Sequence, residues 1–281
     1  MKIFGRRQSS NVDDRRMGGG GLMAMGGTGI IIALIFTLLT GNPSFLINEG
    51  LNSNLNQKYV ETPEEKKLAE YVGVVLADTE DVWHEIFRTE LNMNYVEPKL
   101  VLFKNQVNSA CGLATVASGP FYCPTDYSIY IDLAFHKELR DRFKATGDFA
   151  MAYVIAHEVG HHVQNLHGIL DAINQPKYRQ DEKEYNRILK RVELHADYLA
   201  GVWAHHQESR NLLDVNDIRE ALEAAAAVGD DRIQSETLGR VIPDKFTHGT
   251  SEQRMRWFYE GYKAGYYFEF GDIIQISEND L

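Results

Sequence analysis

The stretch His157-Glu158-Val159-Gly160-His161 predicts a helix that carries a metal-binding motif, and the rest of the fold is expected to pack around this helix. Positions i and i+4 of an α-helix lie one turn apart on the same face, so the two imidazoles can converge on one metal ion. Glu158 lies about 100° further round the helix, where its carboxylate can reach a water on that ion without ligating it. This H-E-x-x-H pattern is typical of zinc-dependent hydrolases and predicts a zinc ion, a general base and hydrolysis. A solvated, histidine-rich helix is the alternative.

A zinc site needs a third protein ligand, and His167 is one candidate. It follows His161 at the H-x-x-G-x-x-H spacing of metzincins, but Gln164 stands where those proteins need a glycine to turn the backbone. If the helix continues instead, His167 lies roughly 9 Å along its axis from His161. We therefore do not expect His167 to be a ligand.

Glu193 is the better candidate for the third ligand. Residues 182–206 are predicted to form a helix, and Glu193 and Asp197 border or enter its apolar stripe. Carboxylates that face a core are costly unless they are paired or bound to a metal. We expect Glu193 to bind the ion and Asp197 to accept a hydrogen bond from the far nitrogen of a ligating histidine. An ordinary pair of surface acids is the alternative.

Several further motifs fall in order along the chain, and together they resemble the bacterial neutral zinc metallopeptidases, the YpfJ-like family. They are His157–Gln164, Glu193–Asp197, Thr247–Arg254, Cys111-Gly112, Gly119–Pro124 and Gly229–Gln234. The resemblance spans roughly residues 60–266, together with the layout of a basic N-terminus and a membrane segment. It implies a gluzincin-type site with one Zn²⁺ per chain, a glutamate as third ligand and a peptide or protein substrate, but no particular substrate.

His248 is the expected donor to the oxyanion. It lies just before a helix that Thr250-Ser251 opens, with Gln253 at capping-box spacing, and Gly249 allows the backbone to turn. Gluzincins often use a histidine downstream of the glutamate ligand in this role, so the resemblance implies the same here. The alternative is a histidine that only packs beside the helix start. In zincins an extended peptide pairs with a sheet edge over the metal, and the strand 128–133 is the expected edge.

The N-terminus differs from the rest of the chain in charge. The 281 residues have a net charge of −11, which argues against a nucleic-acid partner. Residues 1–21 form a basic tail, and residues 22–40 are uncharged and nearly long enough to cross a bilayer. We expect a single transmembrane helix at 22–40, a cytoplasmic N-terminus, a flexible linker at 41–60 and an extracytoplasmic domain at 61–281 of a bacterial inner membrane protein. A cleaved signal peptide is the alternative.

The periodicity of the remaining chain predicts an α+β fold, a mostly helical zincin-like domain with a small β-sheet. The predicted strands are 100–103 and 128–133, and the predicted helices are 63–90, 148–167, 182–206, 215–228 and 251–265. Thr62-Pro63-Glu64-Glu65 is typical of a helix start with a capping box. Few strands followed by several helices are typical of an α+β domain.

Cys111 and Cys123 are the only cysteines and flank a loop rich in glycine and proline. Outside the cytosol such a pair is expected to form a disulfide, worth roughly 3 kcal/mol in the chain-entropy model. Zinc ligation by the two thiols is the alternative, which the lack of nearby histidines disfavours.

Two classes of function remain. The first is a membrane-anchored zinc endopeptidase, in which Glu158 is the general base and His248 stabilises the oxyanion. The second is a catalytically silent, zinc-stabilised interaction protein. The role of Glu158 distinguishes the two classes of function, because a structural zinc site needs no base and has four protein ligands.

Overall fold

A computed structural model of the protein describes residues 1–16, 60–142, 145 and 147–281. The predicted transmembrane helix at 22–40 and nearly all of the predicted linker lie outside these residues. Across the described ranges, no helix combines the length and the apolar character that a bilayer crossing needs. The membrane span and its orientation stay predictions.

Helices account for most of the described chain, as the sequence predicts. They are α1 (Pro63–Thr89), α2 (Ala134–Asp141), α3 (Asp148–Leu166), α4 (Ile169–Ile173), α5 (Glu182–Ser209), α6 (Asp217–Ala227), α7 (Asp230–Leu238), α8 (Ser251–Ala264) and α9 (Phe270–Gln275). The five predicted helices correspond to α1, α3, α5, α6 and α8. The other four have at most nine residues each, which is too short for a clear helical period.

The start of α1 shows how local sequence sets a helix boundary. The Thr62 hydroxyl accepts a hydrogen bond from the Glu65 N–H, and the Glu65 carboxylate accepts one from the Thr62 N–H. Pro63 occupies the first helical position, where its missing N–H is not needed. The predicted capping box is confirmed. The inner face of α1 then enters the main core through Val72, Val75, Leu76, Trp83, Ile86 and Phe87.

Among the described residues, four strands form one sheet and two form a separate hairpin. The strands are β1 (Val12–Asp14), β2 (Lys99–Phe103), β3 (Gln106–Ser109), β4 (Gly112–Thr115), β5 (Phe121–Cys123) and β6 (Ser128–Asp132). The sheet order is β1-β2-β6-β5, with the first three parallel and β5 antiparallel to β6. Because side chains alternate along a strand, β2 and β6 bury one set of residues in the main core and the other beneath the hairpin.

The expectation that the strand 128–133 is a sheet edge is wrong. The strand at those positions, β6, lies between β2 and β5. The free edge on that side is β5, which packs against α3, the helix of the H-E-x-x-H motif. The sequence did not reveal β5 because three residues beside a glycine- and proline-rich loop give no measurable alternation.

The predicted disulfide between Cys111 and Cys123 is confirmed. Cys111 lies in the turn between β3 and β4, and Cys123 is the last residue of β5. The bond therefore joins the hairpin to the edge strand of the main sheet. Since both partners are bridged, the chain has no free cysteine.

The helices of the second half pack as a group of four. In this group, α5 and α6 each contact both α3 and α8, and α1 lies against α3 and α5. The helix α3 is buried along nearly its whole length. The motif helix is therefore fixed from several sides by rigid elements, which is what a precise site requires.

Residues 1–16 pack on the domain that the sequence assigns to residues 61–281. Their strand β1 pairs with β2, and the ammonium group of Met1 lies 2.9 Å from Asp214 and 3.0 Å from Asp217. The predicted division into a separate basic tail and a domain did not anticipate this contact, because nothing in a short polar segment indicates which strand it will join.

Candidate metal centre

The two helices that hold the candidate ligands approach each other at Gly160. A Cβ atom built on Gly160 would lie 2.9 Å from the backbone oxygen of Ala196 on α5, closer than a real Cβ atom comes to any neighbour. Glycine inside the motif therefore allows α5 to pack directly on α3. That close approach brings Glu193 beside His157 and His161.

Three donor atoms meet at this crossing. Nε2 of His157 is 3.2 Å from one carboxylate oxygen of Glu193, and Nε2 of His161 is 3.5 Å from the other. The three side chains offer ligand atoms that all lie within 4.8 Å of one another. They come from two helices that the sequence alone cannot place in contact.

The donor set fits a zinc ion. Tetrahedral ligands at zinc distances of 2.0–2.2 Å are separated from each other by about 3.4 Å, close to the spacings found here. Two imidazoles and one carboxylate are a known set for catalytic zinc, in which a fourth position stays open. The described residues thus fit Zn²⁺ in number, type and spacing.

Asp197 fixes the orientation of His157. Its Oδ1 accepts a hydrogen bond from Nδ1 of His157 at 2.8 Å, which leaves Nε2 directed at Glu193. The hydroxyl of Tyr153 donates to the same oxygen, and the Arg254 guanidinium donates to both carboxylate oxygens at 2.8 and 3.0 Å. The predicted hydrogen bond from Asp197 to the far nitrogen of a candidate ligand is present in the structure.

Gln164 fixes the orientation of the His161 ring. Its amide oxygen accepts a hydrogen bond from Nδ1 of His161 at 2.9 Å, so that Nε2 points toward Glu193. The amide nitrogen donates to the Val192 carbonyl and to Nδ1 of His195. Gln164 is completely buried, and these three bonds fix which end of its amide faces the histidine.

Glu158 is buried beside the donor cluster. Within the described part of the chain, no hydrogen bond or ion pair involves its carboxylate. By contrast, His157 and His161 are both held by hydrogen bonds. A buried carboxylate without a protein partner is costly. The arrangement leaves this group available to a molecule that enters the site.

His248 stands in a loop that Asp230 holds in place. One carboxylate oxygen of Asp230 accepts hydrogen bonds from the backbone N–H groups of Thr247, His248 and Gly249, at 2.8, 2.7 and 3.2 Å. The other lies 3.1 Å from Nδ1 of His248. Gly249 has φ of +92°, as the predicted turn requires. The capping box of Thr250 and Gln253 is confirmed.

The charges around the cluster favour a cation at its centre. Burial acts to lower the pKa of His157, but the carboxylates of Asp197 and Glu193 outweigh it and raise that pKa to about 9. Burial likewise opposes a charge on Glu193, yet His161 and His248 keep the pKa of Glu193 well below its usual value. A divalent cation satisfies the same electrostatic demand as the proton on His157.

His248 experiences a similar balance. Burial acts to lower its pKa, and the carboxylates of Asp230 and Glu193 more than compensate, so the pKa of His248 is raised. Because Nδ1 faces Asp230, Nε2 is the ring nitrogen that has no hydrogen-bond partner among the described residues.

The remaining histidines have other partners. His162 is buried between the Tyr122 hydroxyl on β5 and the Val96 carbonyl, and burial lowers its pKa to about 4. His167 stacks on Tyr267 and does not belong to the donor cluster. His205 and His206 bond to backbone carbonyls of the α8 end. His195 is buried, and its Nδ1 accepts a hydrogen bond from the amide nitrogen of Gln164.

Sequence reasoning missed the roles of Gln164, Arg254 and Asp230. All three stood inside quoted motifs, but no role was inferred for them. A buried arginine or aspartate can be recognised only when its partner is known, and here Arg254 is 57 residues from Asp197. One signal was available for Gln164, because it lies three residues after His161 on the same helix.

The sequence model of a family described as "Putative neutral zinc metallopeptidase" matches residues 1–269. A match over this length shows that the chain belongs to that family, as its motifs suggested.

Relatives in two groups of bacteria support the assignment. YpfJ of Escherichia coli K12 is 42% identical over 277 residues, which cover 94% of this chain and 96% of YpfJ. The protein Rv2575 of Mycobacterium tuberculosis H37Rv is 45% identical over 182 residues, which cover 61% of this chain and 60% of Rv2575. Both are named as uncharacterized proteins. No solved structure matches the chain.

Proposed function

We propose that this protein is a zinc-dependent peptidase in which His157, His161 and Glu193 hold one Zn²⁺ ion. The observation that carries the proposal is the free carboxylate of Glu158 beside a cluster of three donors. A purely structural zinc site would have a fourth protein ligand and no use for such a group. The family membership supports a zinc-dependent peptidase in general, without assigning the ligands or the base.

Glu158 acts as the general base. Zn²⁺ at this site would polarise the substrate carbonyl and lower the pKa of the attacking water towards about 7. Glu158 accepts the proton of that water and later delivers it to the leaving amine. Asp197 and Gln164 keep the two imidazoles in fixed orientations throughout, so the donors need not reorganise during the reaction.

His248 donates a hydrogen bond to the oxyanion. Its raised pKa favours the imidazolium, and Asp230 holds Nδ1 so that Nε2 is the donor. A fixed, charged donor beside the developing negative charge typically contributes about 10²–10³ in rate.

We also propose that the domain works outside the cytosol, next to a membrane. The disulfide between Cys111 and Cys123 supports an oxidising compartment. The uncharged stretch 22–40 supports contact with a bilayer. An extended peptide is the expected substrate, and the free edge of β5 beside α3 is where it would pair.

The experiment that tests the function compares the purified parent protein with Glu158→Gln. The isosteric amide should keep stoichiometric zinc while hydrolysis of casein or a peptide library falls by about 10³-fold or more. Zinc is measured by metal analysis and hydrolysis by the release of new amino groups. Undiminished hydrolysis in the variant would refute Glu158 as the base. A parent protein that binds zinc but cleaves no peptide would instead support the silent interaction protein.

A further inference from the structure

The backbone of residues 1–16 completes the main sheet. In β1, Val12, Asp13 and Asp14 pair in register with the three central residues of β2. The flanking backbone continues the ladder, because Leu100 donates to the Asn11 carbonyl and Arg15 donates to the Leu102 carbonyl, at 3.0 and 2.8 Å. Without this strand, β2 would be an exposed, apolar edge.

Two buried acids of α1 depend on the same segment. Asp78 and Glu80 are 2% and 1% exposed, although both lie in the helix that packs on the core. Arg6 donates to both carboxylate oxygens of Asp78. Arg7 donates to one oxygen of Glu80 at 2.9 Å, and the Ser9 hydroxyl donates to the other.

No residue after position 16 replaces these contacts in the described chain. All hydrogen bonds to the Asp78 and Glu80 carboxylates come from residues 6–11, including one from the Asn11 amide at 2.9 Å. Two carboxylates buried without partners would cost several kcal/mol. The domain surface is therefore built to receive a basic, strand-forming segment, and residues 1–16 supply it.

The end of the segment lies beside the point where the described chain resumes. Arg16 is 7% exposed, and its guanidinium pairs with Glu61 at 2.8 Å. Glu61 directly precedes the capping residue of α1. Arg16, which directly precedes residues 17–59, is thus paired with Glu61, two residues after them.

We infer that residues 1–16 are a structural part of the catalytic domain and occupy the same compartment as residues 60–281. A single membrane crossing between residues 16 and 60 would place β1 and β2 on opposite sides of a bilayer and leave Asp78 and Glu80 unpaired. The inference replaces the predicted cytoplasmic tail, and it stands whether or not the domain is a peptidase. The family match, which begins at residue 1, also includes this segment.

Cysteine labelling of the full-length chain in cells tests the compartment. Phe4 and Val215 are fully exposed, so Phe4→Cys and Val215→Cys each present one thiol without a folding cost. A membrane-impermeant maleimide is applied to spheroplasts and to lysed cells, with the parent chain as the control for Cys111 and Cys123. Both sites should show the same ratio of labelling in intact and lysed cells. Labelling of one site in intact cells, and of the other only after lysis, would overturn the inference.

A matched pair of arginine variants tests the structural role. Arg6→Ala removes the partner of buried Asp78 and should lower the melting temperature of the full chain by about 5–10 °C. Arg15→Ala removes the same charge, but among the described residues the Arg15 side chain bonds only to Asp13 of the same segment, whose side chain is 44% exposed. Its melting temperature should change by less than about 2 °C. Equal, small shifts in both variants would show that the segment contributes nothing to the fold.

Discussion

Two arginine–aspartate pairs, one beside the metal centre and one at the N-terminal segment, shift the pKa of a buried aspartate in opposite directions. At the centre, Arg254 and His157 lower the pKa of Asp197 despite complete burial. At the segment, burial dominates and raises the pKa of Asp78 to about 6, even though Arg6 opposes it. Both acids accept two hydrogen bonds from an arginine.

The difference lies in what else surrounds each acid. Asp197 has two cationic neighbours and the hydroxyl of Tyr153, and Arg254 is itself buried. Asp78 has one hydrogen-bonded arginine, Arg6, whose side chain is 22% exposed. Nearby, the negative charge of Asp81 outweighs the positive charge of Arg210 in its effect on the pKa of Asp78. A single, partly solvated partner does not offset desolvation, whereas a network does. The metal centre is therefore rigid and charged, and the segment contact is the more easily disturbed of the two.

The largest expected effect is the loss of zinc affinity when the anionic ligand Glu193 is removed. Glu193→Ala should weaken zinc affinity by roughly a thousandfold or more, because it takes away one of three ligands and the charge that attracts the ion. His167→Ala should leave affinity near that of the parent, since its ring stacks on Tyr267 instead. Competition with a chromogenic chelator measures both. Loss of zinc in His167→Ala, with retention in Glu193→Ala, would show that the wrong third ligand was assigned.

The sequence predicts best where all the informative residues share one element. His157, Glu158 and His161 lie on a single helix whose geometry is known in advance, so their convergence follows from spacing alone. Glu193 required a second step, the cost of a carboxylate on an apolar face. The long helices were predictable for the same reason, because each has its own period and its own caps.

Prediction fails where two distant segments meet. Arg6 lies 72 residues from Asp78, and neither residue has a local pattern that indicates the other. The basic N-terminus was interpreted as a membrane-topology signal, because positive charge before an apolar stretch has that meaning by itself. That topology stays a prediction. The buried acids that Arg6 and Arg7 contact, Asp78 and Glu80, could not be predicted, because no local pattern contains these tertiary contacts.

The next largest expected effect is on the free energy of unfolding, and it compares Arg254 at the metal centre with Arg6 at the N-terminal segment. Arg254→Ala should lower the free energy of unfolding by about 3–5 kcal/mol, because it leaves Asp197 buried with one fewer positive partner. Arg256→Ala on the same helix is the control, since that side chain is exposed and bonds only to the Asp280 carbonyl. Urea titration measures both variants. A loss no larger than that of Arg6→Ala would contradict the view that the centre holds the stronger network.

A smaller effect tests the charged donor near the centre. His248→Ala should reduce kcat by about 10²–10³ with little change in KM or in zinc content, if the ring acts only on the developing charge. His248→Gln retains a neutral N–H donor and should recover part of the lost rate. Parallel losses of thermal stability and zinc in both variants would mark His248 as a structural residue of the Asp230 loop.

The smallest expected effect is a pH dependence that originates at Asp78. Its pKa is about 6 in the folded chain, against an ordinary value of 3.8. Below pH 4 the Asp78 carboxyl is protonated in both the folded and the unfolded chain. Its contribution to the free energy of unfolding is then at its maximum. Between pH 4 and 6 the unfolded chain releases the proton first, so the free energy of unfolding falls by roughly 2–3 kcal/mol.

Asp78→Asn should remove that fall. Urea titration of the parent and of Asp78→Asn at each pH measures it as the difference between their free energies of unfolding, because the contributions of all other groups cancel. Arg6→Ala should extend the fall to higher pH, since loss of the guanidinium raises the pKa of Asp78 further. Profiles that stay parallel from pH 4 to 7 would show that the pKa of Asp78 is not raised in the folded chain, and that Arg6 fully offsets its burial.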